Sequence, residues 1–345
     1  MATHKFGNAD GLLIDATNTS NDTFIVGNGM LDQVDARNTH DDIFIVGHGV
    51  NDAVGVGNTH DDTITLGNGD GDVVSGGGGG AIKSDTITLG NGFLDLVSLE
   101  AGGKNTITLG NGADDRVSIF NESAENIIVL GNGAGDSVEV GQVLSGPSAF
   151  SFKDTITLGN GDNDSVTVGP GPIVQGSQDT ITLGNGENDS VSVLPSSHGF
   201  RSNNTITLGD GNNDTVTSGP GDTVTLGNGK NDTVFSGGFN TITVGNGNDS
   251  IHVGDSDKVT VGIGQDTFIF DQTTTGQIDH VTITGFDPSK DVIQLTTTLV
   301  PTQNVLPAQD DANGNAVITV DNLGETITLV GVQSSALQAS DFHFV

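Results

Sequence analysis

The chain has no cysteine, no tryptophan and no tyrosine among its 345 residues. Without cysteine it can form no disulfide and offers no thiolate as a nucleophile or metal ligand. It contains no run of about 18 apolar residues, so the sequence predicts no transmembrane helix. Residues 1–10 lack both the basic and the apolar segments of a cleavable signal peptide, which fits either a cytosolic protein or export by a route that reads the C-terminus.

Positive charge is also scarce, because 10 Lys and Arg face 44 Asp and Glu, which gives a formal net charge of −34. Nucleic-acid binding and anionic membrane surfaces are excluded, since both require cationic side chains. So many carboxylates repel one another in a compact fold unless cations neutralise them. Ligands that are all oxygen point to calcium, so we expect several Ca²⁺ ions.

No catalytic constellation is present. The sequence has no His-Glu-x-x-His motif, and its Lys and Arg residues are spread singly. We therefore expect no enzyme activity. His40 and His60 recur within Asn-Thr-His-Asp-Asp, which indicates either a solvated turn or a transition-metal pair.

Glycine is abundant, with 53 residues, and its placement is periodic. Twelve Gly-x-Gly turns begin between Gly27 and Gly262 at intervals of 17 to 28 residues, most of them reading Gly-Asn-Gly. Such a period is typical of a solenoid in which each repeat stacks on the next.

The repeat at 179–199 illustrates one predicted coil. A strand at 180–183 alternates polar and apolar residues. Gly184-Asn185-Gly186 forms a turn, with glycines able to take positive φ, and a second strand follows at 190–193. A longer second turn then leads to the next coil. The two-residue period predicts these buried residues, with the neighbouring threonines outside: Ile64, Leu66, Ile87, Leu89, Ile156, Leu158, Ile181, Leu183, Ile206 and Leu208.

Two of the tightest turns, Gly245-Asn246-Gly247-Asn248-Asp249-Ser250-Ile251 and 262–268, resemble the RTX (repeats-in-toxin) calcium-binding repeat. The resemblance covers residues 20–270. It implies a right-handed parallel β-roll of about twelve two-stranded coils, with Ca²⁺ held between turns by Asp carboxylates and turn carbonyls. The segments 281–295 and 341–345 resemble the closing region and terminal signal of this family, which implies export by a type I exporter.

The candidate calcium ligands are the aspartates of these turns. The sequence predicts ligation by Asp52, Asp62, Asp72, Asp85, Asp164, Asp179, Asp189, Asp214, Asp222, Asp232, Asp249 and Asp266. Most turns depart from the RTX pattern by one extra residue before Asp. In the second turn Asn105, Asn126, Asn204 and Asn240 replace Asp, so the number of ions stays open.

We therefore expect an all-β chain with an N-terminal cap at 1–20, a calcium-binding solenoid at 21–270 and a C-terminal capping and secretion-signal region at 271–345. The predicted function is that of a secreted, calcium-binding structural protein of the cell surface, a surface layer or an extracellular matrix. It would fold on binding calcium and assemble with copies of itself. An accessory fragment of an RTX enzyme or toxin is a remoter alternative.

A second alternative is an adhesin, for which two features are relevant. Outward Thr-x-Thr pairs recur along the coils and resemble an ice-binding surface, although threonine also favours strands for structural reasons. The long second turns at 141–153, 169–178 and 194–203 carry apolar residues that fit either contact with another molecule, such as a glycan, or packing on the core.

Overall fold

The computed structural model describes residues 1–77, 82–100, 103–120, 125–142, 153–169, 177–194, 201–271, 280–296, 308–320 and 326–345. They divide into two compact units, Met1–Gly186 and Glu187–Val345. Short β-strands make up nearly all the regular structure. Within the described ranges the helical segments are two single 3₁₀ turns, Ser334–Ala336 and Ala339–Asp341.

The first unit contains two main parallel sheets. Its first sheet consists of Thr3–Lys5, Thr23–Ile25, Ile43–Ile45, Thr63–Thr65, Thr86–Thr88, Thr106–Thr108, Ile127–Val129, Thr155–Thr157 and Thr180–Thr182. Its second sheet consists of Leu13–Asp15, Gln33–Arg37, Ala53–Gly57, Val73–Gly76, Leu96–Glu100, Arg116–Phe120, Ser137–Gln142 and Ser165–Val168. A small third pairing joins Thr59–His60 to Ile82–Lys83.

The second unit repeats this arrangement. Its first sheet contains Thr205–Thr207, Thr223–Thr225, Thr241–Thr243, Lys258–Thr260, Val281–Thr284 and Thr326–Val330, extended by the antiparallel strands Ala308–Asp310 and Ala316–Thr319. Its second sheet contains Ser190–Val193, Thr215–Ser218, Thr233–Ser236, Ser250–His252, Thr267–Phe270, Val292–Leu295 and Phe342–Phe344. Parallel pairing thus continues past residue 270.

In the first sheet, equivalent residues of successive coils pair without a shift. Ile87 lies between Ile64 and Ile107 in the first sheet, and Thr86 and Thr88 pair with the threonines beside those residues. The prediction of an all-β solenoid of stacked two-stranded coils is confirmed, with about twelve turns in the two units together.

The predicted core register is also confirmed. All ten predicted Ile and Leu residues are at most 2% exposed, and Val residues of the second sheet, such as Val97 and Val117, are fully buried opposite them. The first threonine of each corresponding Thr-x-Thr pair is exposed and the second is half-buried. This alternation follows from the pleat of the strand, which sends successive side chains to opposite faces.

The role expected for the Gly-Asn-Gly glycines is wrong. None of them has positive φ; in most turns the left-handed residue stands directly before the aspartate, as at Asn51 and Asn163. The glycines are needed instead for close stacking. A Cβ added to Gly69 would lie 1.4 Å from the carbonyl oxygen of Gly49 in the preceding coil, so no larger residue fits.

The extra residue before Asp thus serves as the left-handed corner of the turn. The shorter turns at 245–249 and 262–266 have no such residue.

The long second turns at 141–153, 169–178 and 194–203 lie largely outside the described residues, so their predicted contact role stays a prediction.

Candidate functional site: two rows of buried aspartates

A row of buried aspartates follows the Gly-x-Gly turns and precedes the strands of the second sheet. We call it the glycine-edge ladder. Its members are Asp32, Asp52, Asp72, Asp95, Asp115, Asp136 and Asp164 in the first unit, and Asp189, Asp214, Asp232, Asp249, Asp266 and Asp291 in the second. Each is at most 3% exposed. In a strand, residues two positions apart face the same side, so the Asp side chain points inward like the buried apolar residue two positions after it.

One carboxylate oxygen of each ladder residue is used in stacking. The backbone N–H of Asp52 donates to Oδ1 of Asp72 at 3.0 Å, and that of Asp72 donates to Oδ1 of Asp95 at 3.0 Å. In the second unit Asp214 N–H donates to Oδ1 of Asp232, also at 3.0 Å. Each aspartate therefore satisfies the backbone of the coil before it.

The second carboxylate oxygen, Oδ2, has no hydrogen-bond partner within the described part of the chain in most of these residues. Buried Oδ2 atoms without a hydrogen-bond partner among the described residues belong to Asp32, Asp52, Asp72, Asp95, Asp115 and Asp136, and to Asp214, Asp232, Asp249 and Asp266. In several turns this atom faces the second glycine, since a Cβ on Gly49 would lie 2.7 Å from Asp52 Oδ2 and one on Gly229 would lie 2.6 Å from Asp232 Oδ2. A buried carboxylate oxygen without a donor or a cation costs folding free energy.

The electrostatics agree with this geometry. Burial raises the pKa of Asp72 to about 8 and that of Asp115 to about 7, and the carboxylates of neighbouring coils push both in the same direction. In the second unit, burial and the adjacent ladder carboxylates raise the pKa of Asp214 and of Asp249 to about 7. Near neutral pH the ladder requires protons or cations to be stable.

A second row precedes the strands of the first sheet at the opposite edge. We call it the second-turn ladder. Its buried members are Asp42, Asp62, Asp85, Asn105, Asn126, Asp154 and Asp179 in the first unit, and Asn204, Asp222, Asn240 and Asp257 in the second. The stacking bond is the same, because Asp42 N–H donates to Oδ1 of Asp62 at 2.8 Å and Asp85 N–H donates to Oδ1 of Asn105 at 3.0 Å.

In the N-terminal coils of this second-turn ladder the other oxygen has a donor. The hydroxyl of Thr39 donates to Oδ2 of Asp62 at 2.6 Å, and that of Thr59 donates to Oδ2 of Asp85 at 2.7 Å. The sequence signal for this pairing is Asn-Thr-x-x-Asp at 18–22, 38–42 and 58–62, which sequence reasoning missed. Not every coil has this donor, since Asp154 Oδ2 has no hydrogen-bond partner among the described residues.

The sequence-predicted metal ligands therefore divide between the two rows. Asp52, Asp72, Asp164, Asp189, Asp214, Asp232, Asp249 and Asp266 lie on the glycine-edge ladder, whereas Asp62, Asp85, Asp179 and Asp222 lie on the second-turn ladder. Within the described ranges no three His, Asp or Glu side chains converge on one point. A cation at either row would have to combine ladder carboxylates with backbone carbonyls, which are the oxygen ligands that calcium accepts.

The two recurrent histidines stack face to face. The rings of His40 and His60 lie 5.0 Å apart with an interplanar angle of 6°. Their Nδ1 atoms face the exposed Asp41 and Asp61 at 3.1 and 3.2 Å. Parallel rings do not direct their nitrogens at a common point, so this geometry favours the solvated turn over a transition-metal pair.

A third row lies on the surface at the middle residue of the Gly-x-Gly turns. The backbone N–H of Asn91 donates to Oδ1 of Asn68 at 2.9 Å, and the side-chain Nδ2 of Asn91 donates to the same oxygen at 3.2 Å. His48 takes an asparagine position and accepts the N–H of Asn68 at Nδ1. This amide row runs opposite to the buried ladders, because here each side chain accepts from the following coil.

No family model matches the chain, and a search of curated proteins finds no relative. In the part of the chain that the structure describes, no helix is long and apolar enough to cross a membrane.

Proposed function

We propose that this protein is a non-enzymatic structural solenoid whose folding is coupled to the binding of Ca²⁺ along the glycine-edge ladder. The observation that carries the proposal is a difference between the two buried rows. Every buried member of the glycine-edge ladder is an aspartate, whereas the second-turn ladder replaces aspartate by Asn105, Asn126, Asn204 and Asn240.

An amide supplies the same Oδ1 acceptor as a carboxylate, so the stacking bond alone does not require aspartate. Asn105 makes that bond to Asp85 N–H, and its Nδ2 also donates to the Ile82 carbonyl oxygen at 3.3 Å. An amide cannot supply a second negatively charged oxygen. Retention of the carboxylate at the glycine edge, with Oδ2 lacking a donor in most coils, is therefore best explained by a cation.

Such a cation would make folding conditional. In its absence, repulsion among ladder carboxylates and the overall charge of −34 oppose the compact state. Once ions bind, their binding free energy becomes folding free energy. This coupling suits a protein exported unfolded, by a type I exporter, into a calcium-rich exterior. There it would serve as a structural component of a surface layer or an extracellular matrix and self-assemble through the long second turns.

Calcium titration of paired variants tests this proposal. In wild-type protein, calcium should raise the melting temperature and the β-sheet signal in circular dichroism. Asp115→Asn should be more stable than wild type in chelator at pH 8, by about 1–3 kcal/mol, because it removes an unpaired buried charge. The same variant should gain less from calcium.

Asp85→Asn is the matched control, because it makes the same change on the second-turn ladder. It exchanges the charged acceptor of Thr59 for an amide, and its gain from calcium should equal that of wild type. A wild-type protein indifferent to millimolar calcium would overturn the proposal. Equal losses of calcium response in both variants would place the ions elsewhere.

An adhesin is the second candidate, and the outer face of the first sheet favours it. From Thr63 to Thr182 in the first unit this face carries only Thr, Ile and Val, paired row by row without a shift. In a chain of this charge, an uncharged array in constant register suits an ordered neutral surface such as ice.

Ice-affinity purification and thermal hysteresis test this candidate. Thr88→Lys and Thr157→Lys together should abolish both signals, while a Lys pair at Ser75 and Ser98 on the outer face of the second sheet should leave them unchanged. Absence of both signals in folded wild-type protein would reject ice as the ligand.

A further inference from the structure

Nine of the asparagines in the exposed amide row are each followed by glycine. They are Asn28, Asn68, Asn91, Asn111, Asn132, Asn160, Asn185, Asn228 and Asn246. Asparagine before glycine is the arrangement most prone to deamidation, because glycine has no Cβ to hinder attack by its own backbone nitrogen. A chain that repeats this dipeptide nine times in one row has many sites at which deamidation could occur.

The structure shows how folding holds these amides in place. In the first unit, Oδ1 of Asn111 accepts both the backbone N–H and Nδ2 of Asn132, at 3.0 Å each. Asn111 itself donates to Oδ1 of Asn91 through its backbone N–H at 2.9 Å and through Nδ2 at 3.1 Å. Both ends of the amide are thus fixed along the stacking direction, and the side chain cannot turn toward its own following residue without breaking these bonds.

We propose that this amide row is a modification site controlled by folding: its Asn–Gly pairs deamidate in the unfolded chain and are protected in the stacked coils. At Asn111, the nitrogen of Gly112 attacks the side-chain Cγ and the Cγ–Nδ2 bond breaks. The departing nitrogen takes up the glycine proton and leaves as ammonia, and a cyclic imide remains. Water then opens the ring by adding hydroxyl to one carbonyl carbon and hydrogen to the nitrogen, which gives aspartate or isoaspartate.

The product weakens the stack. A carboxylate still accepts from the following coil, as Asp210 does from Asn228, but it has lost the Nδ2 donor. Two carboxylates in neighbouring coils would also repel each other across a spacing of about 4.8 Å. Isoaspartate also lengthens the backbone in a turn where a Cβ on Gly112 would lie 1.5 Å from the Gly92 carbonyl oxygen. Each conversion therefore makes refolding of that coil less favourable.

Two asparagines of the same chain serve as internal controls. Asn8 occupies the row, where its Oδ1 accepts the N–H of Asn28 at 3.0 Å, but it is followed by Ala9. Asn313 is followed by Gly314 but lies in a hairpin turn, and its contacts with Asp311 stay within that turn. Asn8 therefore has the stacking contact without a following glycine, and Asn313 has a following glycine without the stacking contact.

Peptide mapping by mass spectrometry during incubation at pH 8 tests the proposal, with folded protein and guanidinium-unfolded protein compared. In the unfolded chain the row Asn–Gly sites and Asn313 should convert at similar rates, and Asn8 more slowly. In the folded protein the row sites should convert at least ~10-fold more slowly than Asn313, since reaction requires local opening of the stack. Row sites that convert as fast as Asn313 in folded protein would overturn the proposal, as would no conversion at these sites in the unfolded chain.

Discussion

In a chelating buffer, the protein is expected to melt at least ~10 °C higher at pH 5 than at pH 8. The cause is the set of buried carboxyls without a donor on Oδ2. Burial raises the pKa of Asp52 to about 6, of Asp115 to about 7 and of Asp72 to about 8. In the second unit it raises the pKa of Asp266 to about 6.

The direction follows from proton linkage. A carboxyl with a raised pKa in the folded state binds more protons there than in the unfolded chain, where the ordinary value is 3.8. The free energy of unfolding therefore falls as the pH rises from about 4 to about 8. Raising a carboxyl pKa from 3.8 to about 6 or 7, as at Asp52 and Asp115, corresponds to about 3–4 kcal/mol per carboxyl, and coupling along the row reduces this. Several such groups are significant beside a total stability of about 5–15 kcal/mol.

Calcium should offset the loss of stability at high pH. The ion binds the deprotonated row, so it should raise the melting temperature most at pH 8 and least at pH 5, and the pH profile should flatten. Differential scanning calorimetry across this range, with chelator or with calcium, measures the effect. A melting temperature in chelator that rises steadily with pH would contradict the assignment, because that is the behaviour of carboxyls with lowered pKa.

The core was predictable because it depends on local alternation. Thr86, Ile87 and Thr88 alternate polar and apolar residues, and a two-residue period fixes which of them face inward. The period of the Gly-x-Gly turns in turn fixed the stacking. Both signals lie within one repeat of the chain, and the structure confirms both.

The details of the site were not predictable, because they depend on contacts between coils. Asp52 and Asp62 both end short turns, and from sequence they were equivalent calcium ligands. The structure separates them, because Thr39, 23 residues before Asp62, donates to Asp62 Oδ2, while Asp52 Oδ2 has no hydrogen-bond partner among the described residues. The role of Gly69 was mistaken for a similar reason, since its constraint is the carbonyl of Gly49 in the preceding coil.

Replacing Ile87 with aspartate is expected to unfold the coils around it. Ile87 is fully buried between Ile64 and Ile107, which are also fully buried. The change removes a large apolar side chain and places a carboxylate in the core, beside the row that contains Asp85. The combined cost should exceed ~4–5 kcal/mol, the upper range for single substitutions. Limited proteolysis should cut the variant near this coil, and circular dichroism should show reduced β-structure.

Thr86→Asp is the control for this change, since it introduces the same charge one residue earlier on the exposed face and should alter stability by no more than ~1 kcal/mol. Ile87→Val, which removes one buried methylene, should cost about 0.5–1.5 kcal/mol and leave the coil folded. Because each coil of a solenoid contacts only its neighbours, the damage from Ile87→Asp should spread outward from this coil rather than begin at a terminus. Equal effects of the two aspartate substitutions would contradict the register on which the inward direction of both aspartate rows depends.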